Sequence, residues 1–247
     1  MEQENQGTMG HLHPISQMIT DISRIFSKIG FEISDGPEME SEVNNFDLLN
    51  IPKDHPARDM HDTFWVKDRP GFLMRTHISA HQVPYMRTHK PPLRMISAGR
   101  VFRYEATDAT HEVQFNYVEG LAVDKGLSLA NLKGTLDFFL KEIFMMTDLK
   151  TRLRPSFFPF VEPGVEIDMS CFKCGGSGCN ICKQTGWIEI MGAGMVHPNV
   201  LKSAGIDSQE FSGFAFGVGI DRLAMLKYGV DDVRLFYSGD LRLVNQF

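Results

Sequence analysis

Two stretches, 94–105 (RMISAGRVFRYE) and 113–123 (VQFNYVEGLAV), read as strands around a short polar connection that holds Thr107, Asp108 and Thr110. Alternate side chains of a strand share a face. Val101, Arg103 and Glu105 therefore point one way on the first strand, and Val113, Phe115, Tyr117 and Glu119 point one way on the second. If the strands pair, a guanidinium, two carboxylates and two aromatic rings gather on one face. A solvated face rarely carries aromatics beside charges, and a core face avoids unpaired Arg and Glu. One reading is a nucleotide site: Arg103 holds a phosphate through its planar fork, Phe115 stacks on a base, and Glu119 and Glu105 bind amines. The other is a half-buried sheet with Arg–Glu cross-strand pairs. The pattern alone does not choose between them.

The surrounding chain predicts an α+β domain built on an antiparallel sheet. Residues 14–29 have helical spacing, with Ile15, Met18, Ile19, Ile22, Phe26 and Ile29 on one face, Pro14 at the first position and Gly30 at the stop. A short strand follows at Phe31–Ser34, and 38–49 suggests a second helix. Residues 50–92, rich in Pro, His and Arg, read as loops with short strands. Ser128 is placed to cap a helix running to about Met145, with Leu132, Leu136, Phe139, Leu140 and Ile143 inward. Further strands are expected at 152–154, 165–169, 186–191 and 212–218, and a helix at 220–228. The first ten residues read as a flexible lead-in, with a single domain over 11–247.

The segment 213–222 (GFAFGVGIDR) contains Gly217-x-Gly219, but a dinucleotide-binding turn wants a third glycine where Arg222 stands. A strand entering a helix fits better, with glycines that let a ligand approach the backbone. Arg222 in the first helical turn can then cover the second face of a purine stacked on Phe115. A tight turn with an exposed arginine fits the same letters.

All four cysteines fall within twelve residues, as Cys171-x-x-Cys174 and Cys179-x-x-Cys182 around Gly175-Gly176-Ser177-Gly178. Thiolates at this spacing can close a tetrahedral zinc site, and the intervening glycines permit turns that aim amides at sulfur. Such a site has no open position, so its expected role is structural. His11, His13 and His197 are expected to be structural rather than metal ligands.

The formal net charge of −6 weighs against a chain that grips a polynucleotide alone. No apolar run approaches the ~20 residues of a membrane span. The start MEQENQGTMG lacks the basic flank and apolar stretch of a signal peptide. A cytoplasmic protein is the expectation.

Taken together, these segments resemble the three motifs of class II aminoacyl-tRNA synthetases. The helix at 14–29, the strand and Pro37 are similar to motif 1. Arg103-Tyr104-Glu105, the loop and the return strand are similar to motif 2, and Gly217-Val218-Gly219 with Arg222 to motif 3. The strings GRVFRYEATDATHEVQF (99–115), FFPFVEPG (157–164), GAGMVHP (192–198), GFAFGVGIDRLAMLKYG (213–229), ARDMHDTFW (57–65) and MRTHIS (74–79) narrow the resemblance to the alpha chains of phenylalanyl-tRNA synthetase, over about residues 10–247.

The resemblance implies a class II catalytic fold, a mostly antiparallel sheet flanked by helices. Many relatives lack the four cysteines, so the zinc knuckle at 171–182, read from its own spacing, looks like an insert between strands; four reduced thiols in a flexible loop is the other reading. It implies ATP-dependent activation of phenylalanine to phenylalanyl-adenylate and transfer to tRNA(Phe), with Mg²⁺ beside ATP. By matching position, Arg103 would bind the α-phosphate and substrate carboxylate, with Glu105 and His77 in the catalytic set. His77 and Ser79 would orient the amino acid, and Tyr117 and Glu119 would hold its ammonium. Phe158, Phe160 and Ala215 would form the side-chain pocket. Phe115 and Arg222 would sandwich adenine beside Gly217 and Gly219, His111 would reach the outer phosphates, and Glu162 would help bind Mg²⁺.

Two letters depart from the family: Tyr117 stands where glutamine is usual, and Ile78 where a hydroxyl residue is usual. Members usually carry a long N-terminal helical arm that contacts tRNA, whereas about ten residues precede the core here. An apolar pocket rejects an added hydroxyl by only about a hundredfold. Tyrosine errors would therefore need correction elsewhere, and the resemblance implies a beta subunit that does this and binds tRNA, in an α₂β₂ heterotetramer. Two other readings fit parts of the sequence: a paralogue that adenylates or ligates another amino acid without charging tRNA, and a non-catalytic zinc-knuckle RNA-binding module.

Overall fold

The computed structural model describes residues 10, 12–55 and 63–247. Most of the lead-in, His11 and residues 57–62 of ARDMHDTFW lie outside the described residues.

Helix α1 (Pro14–Ser27) opens with proline at its first position and with the His13 ring accepting from the Ile15 N–H at 3.2 Å. Its apolar stripe buries Ile15, Met18, Ile22, Ile25 and Phe26, while Ile19 and Ile29 are half-buried at the margin. The chain turns at Gly30 in the left-handed region (φ 80°) and enters β1 (Glu32–Ile33). The segment expected as a helix at 38–49 is instead β2 (Met39–Ser41), one turn of helix α2 (Glu42–Asn45) and a 3-10 turn at Asp47–Leu49. Pairing of β2 with β3 (Phe72–Met74) outcompetes helix propagation, and the left-handed Asn50 ends the run. Within the expected loops of 50–92 the structure also holds a 3-10 turn (Ile78–His81) running into α3 (Gln82–Thr88).

The main sheet continues with β4 (Leu93–Phe102), β5 (Gln114–Asp124), β6 (Thr151–Phe158), β7 (Val161–Ser170), β8 (Trp187–Val196) and β9 (Ser212–Gly219). Its order is β1-β4-β5-β9-β8-β7-β6. Every neighbouring pair is antiparallel except β1–β4, which the long crossover between them makes parallel. Ser128 and Asn131 form a reciprocal capping box on α4 (Leu129–Phe144), whose five expected inward residues are all buried. Helix α5 (Pro198–Ser203) is capped by His197, and α6 (Ile220–Tyr228) leaves β9 directly and stops at Gly229 (φ 69°). A last short helix, α7, spans Leu241–Val244.

One face of the sheet packs on α1, α4 and α6. Phe26 meets Phe139 at 4.9 Å and Phe216 at 5.3 Å between ring centroids. A β-carbon at Gly120 would lie 2.1 Å from the Phe216 ring, so glycine there lets the ring lie on the strand. Across the opposite face, Leu121, Val123, Val161, Val196 and Ala215 join Leu49, Leu73 and Val83 in a second core. Arg75 ties the loop before β2 to β4: its guanidinium donates to the carbonyls of Gly36 at 2.9 Å and Arg100 at 2.7 Å.

Candidate active site

A cavity of about 450 Å³ opens on that second face, over the strands β5, β9 and β8. Register explains the hollow. Tyr117 faces Gly219, Glu119 faces Gly217 and Leu121 faces Ala215 across β5–β9, and Gly192 and Gly194 face Gly217 and Ala215 across β8–β9. Small residues of β8 and β9 thus stand beside large ones of β5. A β-carbon at Gly217 would lie 2.8 Å from the Tyr117 ring and 3.0 Å from the Glu119 side chain.

At one end of the cavity Glu119 is buried and receives three donors: Ser79 Oγ at 2.6 Å, Gln82 Nε2 at 3.1 Å and the Ile78 N–H at 3.1 Å. Burial pushes its carboxyl upward, and those donors offset only part of the rise. Burial and then the Glu119 charge also push the Tyr117 phenol above its ordinary value, with Arg103 opposing. An incoming cation beside Glu119 would stabilise the carboxylate in a site that already holds the donors for it.

The opposite wall is apolar. Phe158 and Phe160 lie 6.0 Å apart at 26° between ring planes, with Val161 and Ala215 beside them. His77 is buried with its ring 6.3 Å from Phe160. Arg103 follows β4, still bonded to the returning chain through its N–H and the Val113 carbonyl at 3.0 Å. Its Nε donates to the Thr76 carbonyl at 3.1 Å, and its guanidinium stands 5.1 Å from the Phe115 ring. The lining thus offers a buried carboxylate, an apolar aromatic wall and a guanidinium, three groups complementary to a zwitterion with an aromatic side chain.

Of the residues expected from sequence, His77, Ser79, Arg103, Tyr117, Glu119, Phe158, Phe160, Ala215 and Gly217 line the cavity. Glu105 lies outside its lining, 3.9 Å from the Arg103 guanidinium. Phe115 stands beside Tyr117, with ring centroids 6.2 Å apart. Arg222 is exposed on the first turn of α6, close to Gly219. The preceding residue, Asp221, accepts from the Asn116 N–H at 2.7 Å, which places that turn against the strand carrying Phe115. His111 is exposed on the connection and bonds Asp108 at 3.0 Å. The Asp108 carboxyl is held well below its usual range by the amide of Thr110 and by His111.

Glu162 is exposed at the start of β7, 3.2 Å from His197, and is not part of the cavity lining. A single exposed carboxylate is a weak magnesium site, and this ion ordinarily takes one or two carboxylates plus substrate phosphates. The sequence reading missed Gln82 and Gly192, both in the lining. Gln82 follows Ser79 by one helical turn, which is a usable signal, whereas Gly192 is recognisable only from register.

The four cysteine sulfurs lie within 4.8 Å of one another, at the end of the β7–β8 hairpin. Cys171–Cys179, Cys174–Cys182 and Cys179–Cys182 are separated by 3.7, 3.8 and 3.7 Å. A tetrahedron with Zn–S bonds of about 2.3 Å has edges of about 3.8 Å, so the donor set fits zinc. The amides of Gly178 and Gly186 point at Cys174 and Cys182 at 3.2 and 3.3 Å. Cys171 and Cys182 are buried in the main core, and Phe172 stacks on Phe144 of α4 at 6.2 Å. No helix among the described residues is long and apolar enough to cross a membrane.

Residues 2–247 match the family described as tRNA synthetases class II core domain (F). The phenylalanine–tRNA ligase alpha subunit of Enterococcus faecalis is 56 % identical over 245 residues, covering 98 % of this chain and 70 % of that protein. The protein of the same name from Thiobacillus denitrificans is 52 % identical over 244 residues, with the same coverage. Among solved structures, pyrrolysyl-tRNA synthetase from Desulfitobacterium hafniense superposes with a TM-score of 0.70 at 15 % identity, over 95 % of this chain and 76 % of that one. That likeness is one of fold.

Proposed function

Because this chain belongs to the family of class II tRNA synthetase core domains, and within it to the phenylalanine–tRNA ligase alpha subunits, we infer that its cavity is where phenylalanine is activated with ATP. The chain is an ATP-dependent ligase that forms phenylalanyl-adenylate and passes the acyl group to tRNA. The observation that carries the site assignment is the pairing of a buried, triply bonded Glu119 with an apolar slot walled by Phe158, Phe160 and Ala215. Neither the paralogue without tRNA charging nor the RNA-binding module is favoured by relatives that are named ligases over nearly the whole chain.

In this reading Glu119 takes the substrate ammonium, and Ser79 and Gln82 hold the carboxylate in place. Tyr117 stands at the usual glutamine position as a protonated phenol, able to accept from the ammonium or donate to the acyl oxygen. The slot between Phe158 and Phe160 receives the benzyl ring, each aromatic contact contributing about 0.5–1.5 kcal/mol beyond area burial. Arg103 brings the amino-acid carboxylate and the α-phosphate together, and opposes negative charge as the phosphorus becomes five-coordinate. Phe115 and Arg222 flank the adenine beside Gly217 and Gly219, and His111 serves the outer phosphates. Mg²⁺ bound with ATP would supply charge neutralisation at the phosphates, and Glu162, exposed outside the cavity lining, would offer it a single carboxylate. Glu105 sets the Arg103 fork from outside the cavity.

Cys171, Cys174, Cys179 and Cys182 hold a structural zinc that closes the β7–β8 hairpin end onto the core. The partners are a beta subunit, in an α₂β₂ heterotetramer, and tRNA(Phe), in the cytoplasm. The test is ATP–pyrophosphate exchange by the assembled enzyme across the amino acids. Exchange is expected to prefer phenylalanine, and Arg103→Ala is expected to lower it by orders of magnitude with the fold intact. A preference for another amino acid would overturn the substrate assignment, and near-normal exchange by Arg103→Ala would overturn the role of Arg103.

A further inference from the structure

The C-terminal segment returns across the molecule to the hairpin that carries Arg103 and Phe115. The Val233 N–H donates to the Ala109 carbonyl in the connection between β4 and β5, at 2.9 Å. His13 bonds the Phe236 carbonyl at 3.0 Å, which pins the segment to the start of α1. The next residue, Tyr237, donates its hydroxyl to Asp221. Asp221 is 3 % exposed, and its other oxygen accepts from the Asn116 N–H at 2.7 Å. The Asn116 carboxamide closes the ring by donating to the Tyr237 hydroxyl at 3.0 Å.

These bonds run between elements rather than within one. Asp221 precedes Arg222 on the first turn of α6, and Asn116 lies between Phe115 and Tyr117 on β5. The side chain of Tyr237 touches both. We propose that Tyr237 is a positioning residue which, through Asp221 and Asn116, fixes the spacing between Phe115 and Arg222 and so sets the width of the purine slot. The proposal rests on the reading that those two residues flank adenine. Burial, and then the Asp221 charge, holds the Tyr237 phenol above its ordinary value, so it remains the donor to the carboxylate. Removing the hydroxyl deprives a buried acid of a donor, and the turn bearing Arg222 is then free to tilt or admit water.

The test is pyrophosphate exchange by the assembled enzyme, with the KM for ATP and for phenylalanine measured separately. Tyr237→Phe is expected to raise the KM for ATP about tenfold, while the KM for phenylalanine stays within about twofold. Asn116→Ala removes the carboxamide, with its contacts to Tyr237 and Asp221, and keeps the backbone N–H to Asp221. It is expected to show the same split more weakly, and it serves if Tyr237→Phe does not fold. Tyr237→Phe and Asn116→Ala together are expected to fall short of the sum of the two, because both act through Asp221. Equal rises in both KM values, or no rise in either, would overturn the proposal. Arg222→Ala distinguishes its failure from that of the underlying reading. If Arg222→Ala raises the KM for ATP and the Tyr237 and Asn116 variants do not, only the positioning role is lost. If Arg222→Ala leaves that KM unchanged, the purine reading itself fails.

Discussion

Gly192→Ala isolates the amino-acid slot from the rest of the site. Gly192 lies within β8, outside the positive-φ glycines, so alanine brings no backbone strain. The added β-carbon would stand 2.8 Å from Phe158 Cζ, and 3.2 and 3.4 Å from its Cε2 and Cε1. Ordinary contact begins near 3.4 Å, so the ring must retreat by about 0.6 Å, the difference between those separations. Phe158 lines the cavity, with Phe160 6.0 Å away, so a retreat of the ring into it would take room from the substrate ring expected there. Overpacking a well-filled site costs about 1–3 kcal/mol. If that cost is felt on binding, the KM for phenylalanine rises roughly 5- to 150-fold. The KM for ATP should change little, since the Arg103–Phe115 contact lies on β5 and on the residue that follows β4, and not on β8. Pyrophosphate exchange titrated separately with each substrate reads the split, and thermal unfolding reads the folded state. Phe158→Leu in the Gly192→Ala background removes the clash and should recover part of the affinity. An unchanged KM for phenylalanine with lowered thermal stability would refute the reasoning, because Phe158 would then be core and not a wall of the substrate slot.

Ala215→Gly should widen the slot and admit para-substituted phenylalanines in the same exchange assay, and unchanged selectivity would remove Ala215 from the wall. Burial raises the Glu119 carboxyl, so the folded protein holds that proton more tightly than the unfolded chain. Its stability contribution therefore falls as pH rises above the ordinary carboxylate range. Phenylalanine, whose ammonium favours the ionised form, should bind more tightly over that same rise, and Glu119→Gln should flatten the pH profile of the KM while weakening binding. Metal analysis should find one zinc per chain. Chelation or Cys174→Ser should lower Tm by ~10 °C, a loss of about 3–5 kcal/mol for a chain of this size. A metal-free chain with unchanged melting would remove zinc from the structure.

The helices with a clear apolar period were legible because their faces are set locally. The stripe of α1 and the five inward positions of α4 need only a helical repeat and a core to meet. The 38–49 segment was misread because the polar–apolar pattern of Met39–Ser41 resembles a helix turn until Phe72–Met74 pairs with it from thirty residues on. Alternation along the stretches 94–105 and 113–123 was legible, although it did not choose between a nucleotide site and a half-buried sheet, and β4 ends at Phe102. That alternation placed Arg103 and Phe115 on one face, where the guanidinium now stands 5.1 Å from the ring. Gln82 was missed because its work is done across the fold, on Glu119, thirty-seven residues away.

Residue chemistry and local period were present in the letters: four thiols at chelating spacing, the amphipathic helices, and the strand faces that carry a guanidinium, two aromatics and two carboxylates. Those features rest on covalent spacing of a few residues, which no packing can alter. Which glycines hollow out the slot, which donors surround Glu119, and how the far C-terminal Tyr237 comes to brace Asp221 depended on strand register and helix docking. Such contacts join residues from 16 to more than a hundred positions apart. They exist only once burial of the two apolar faces has brought the strands and helices together, and that cooperative term belongs to no short segment of the chain.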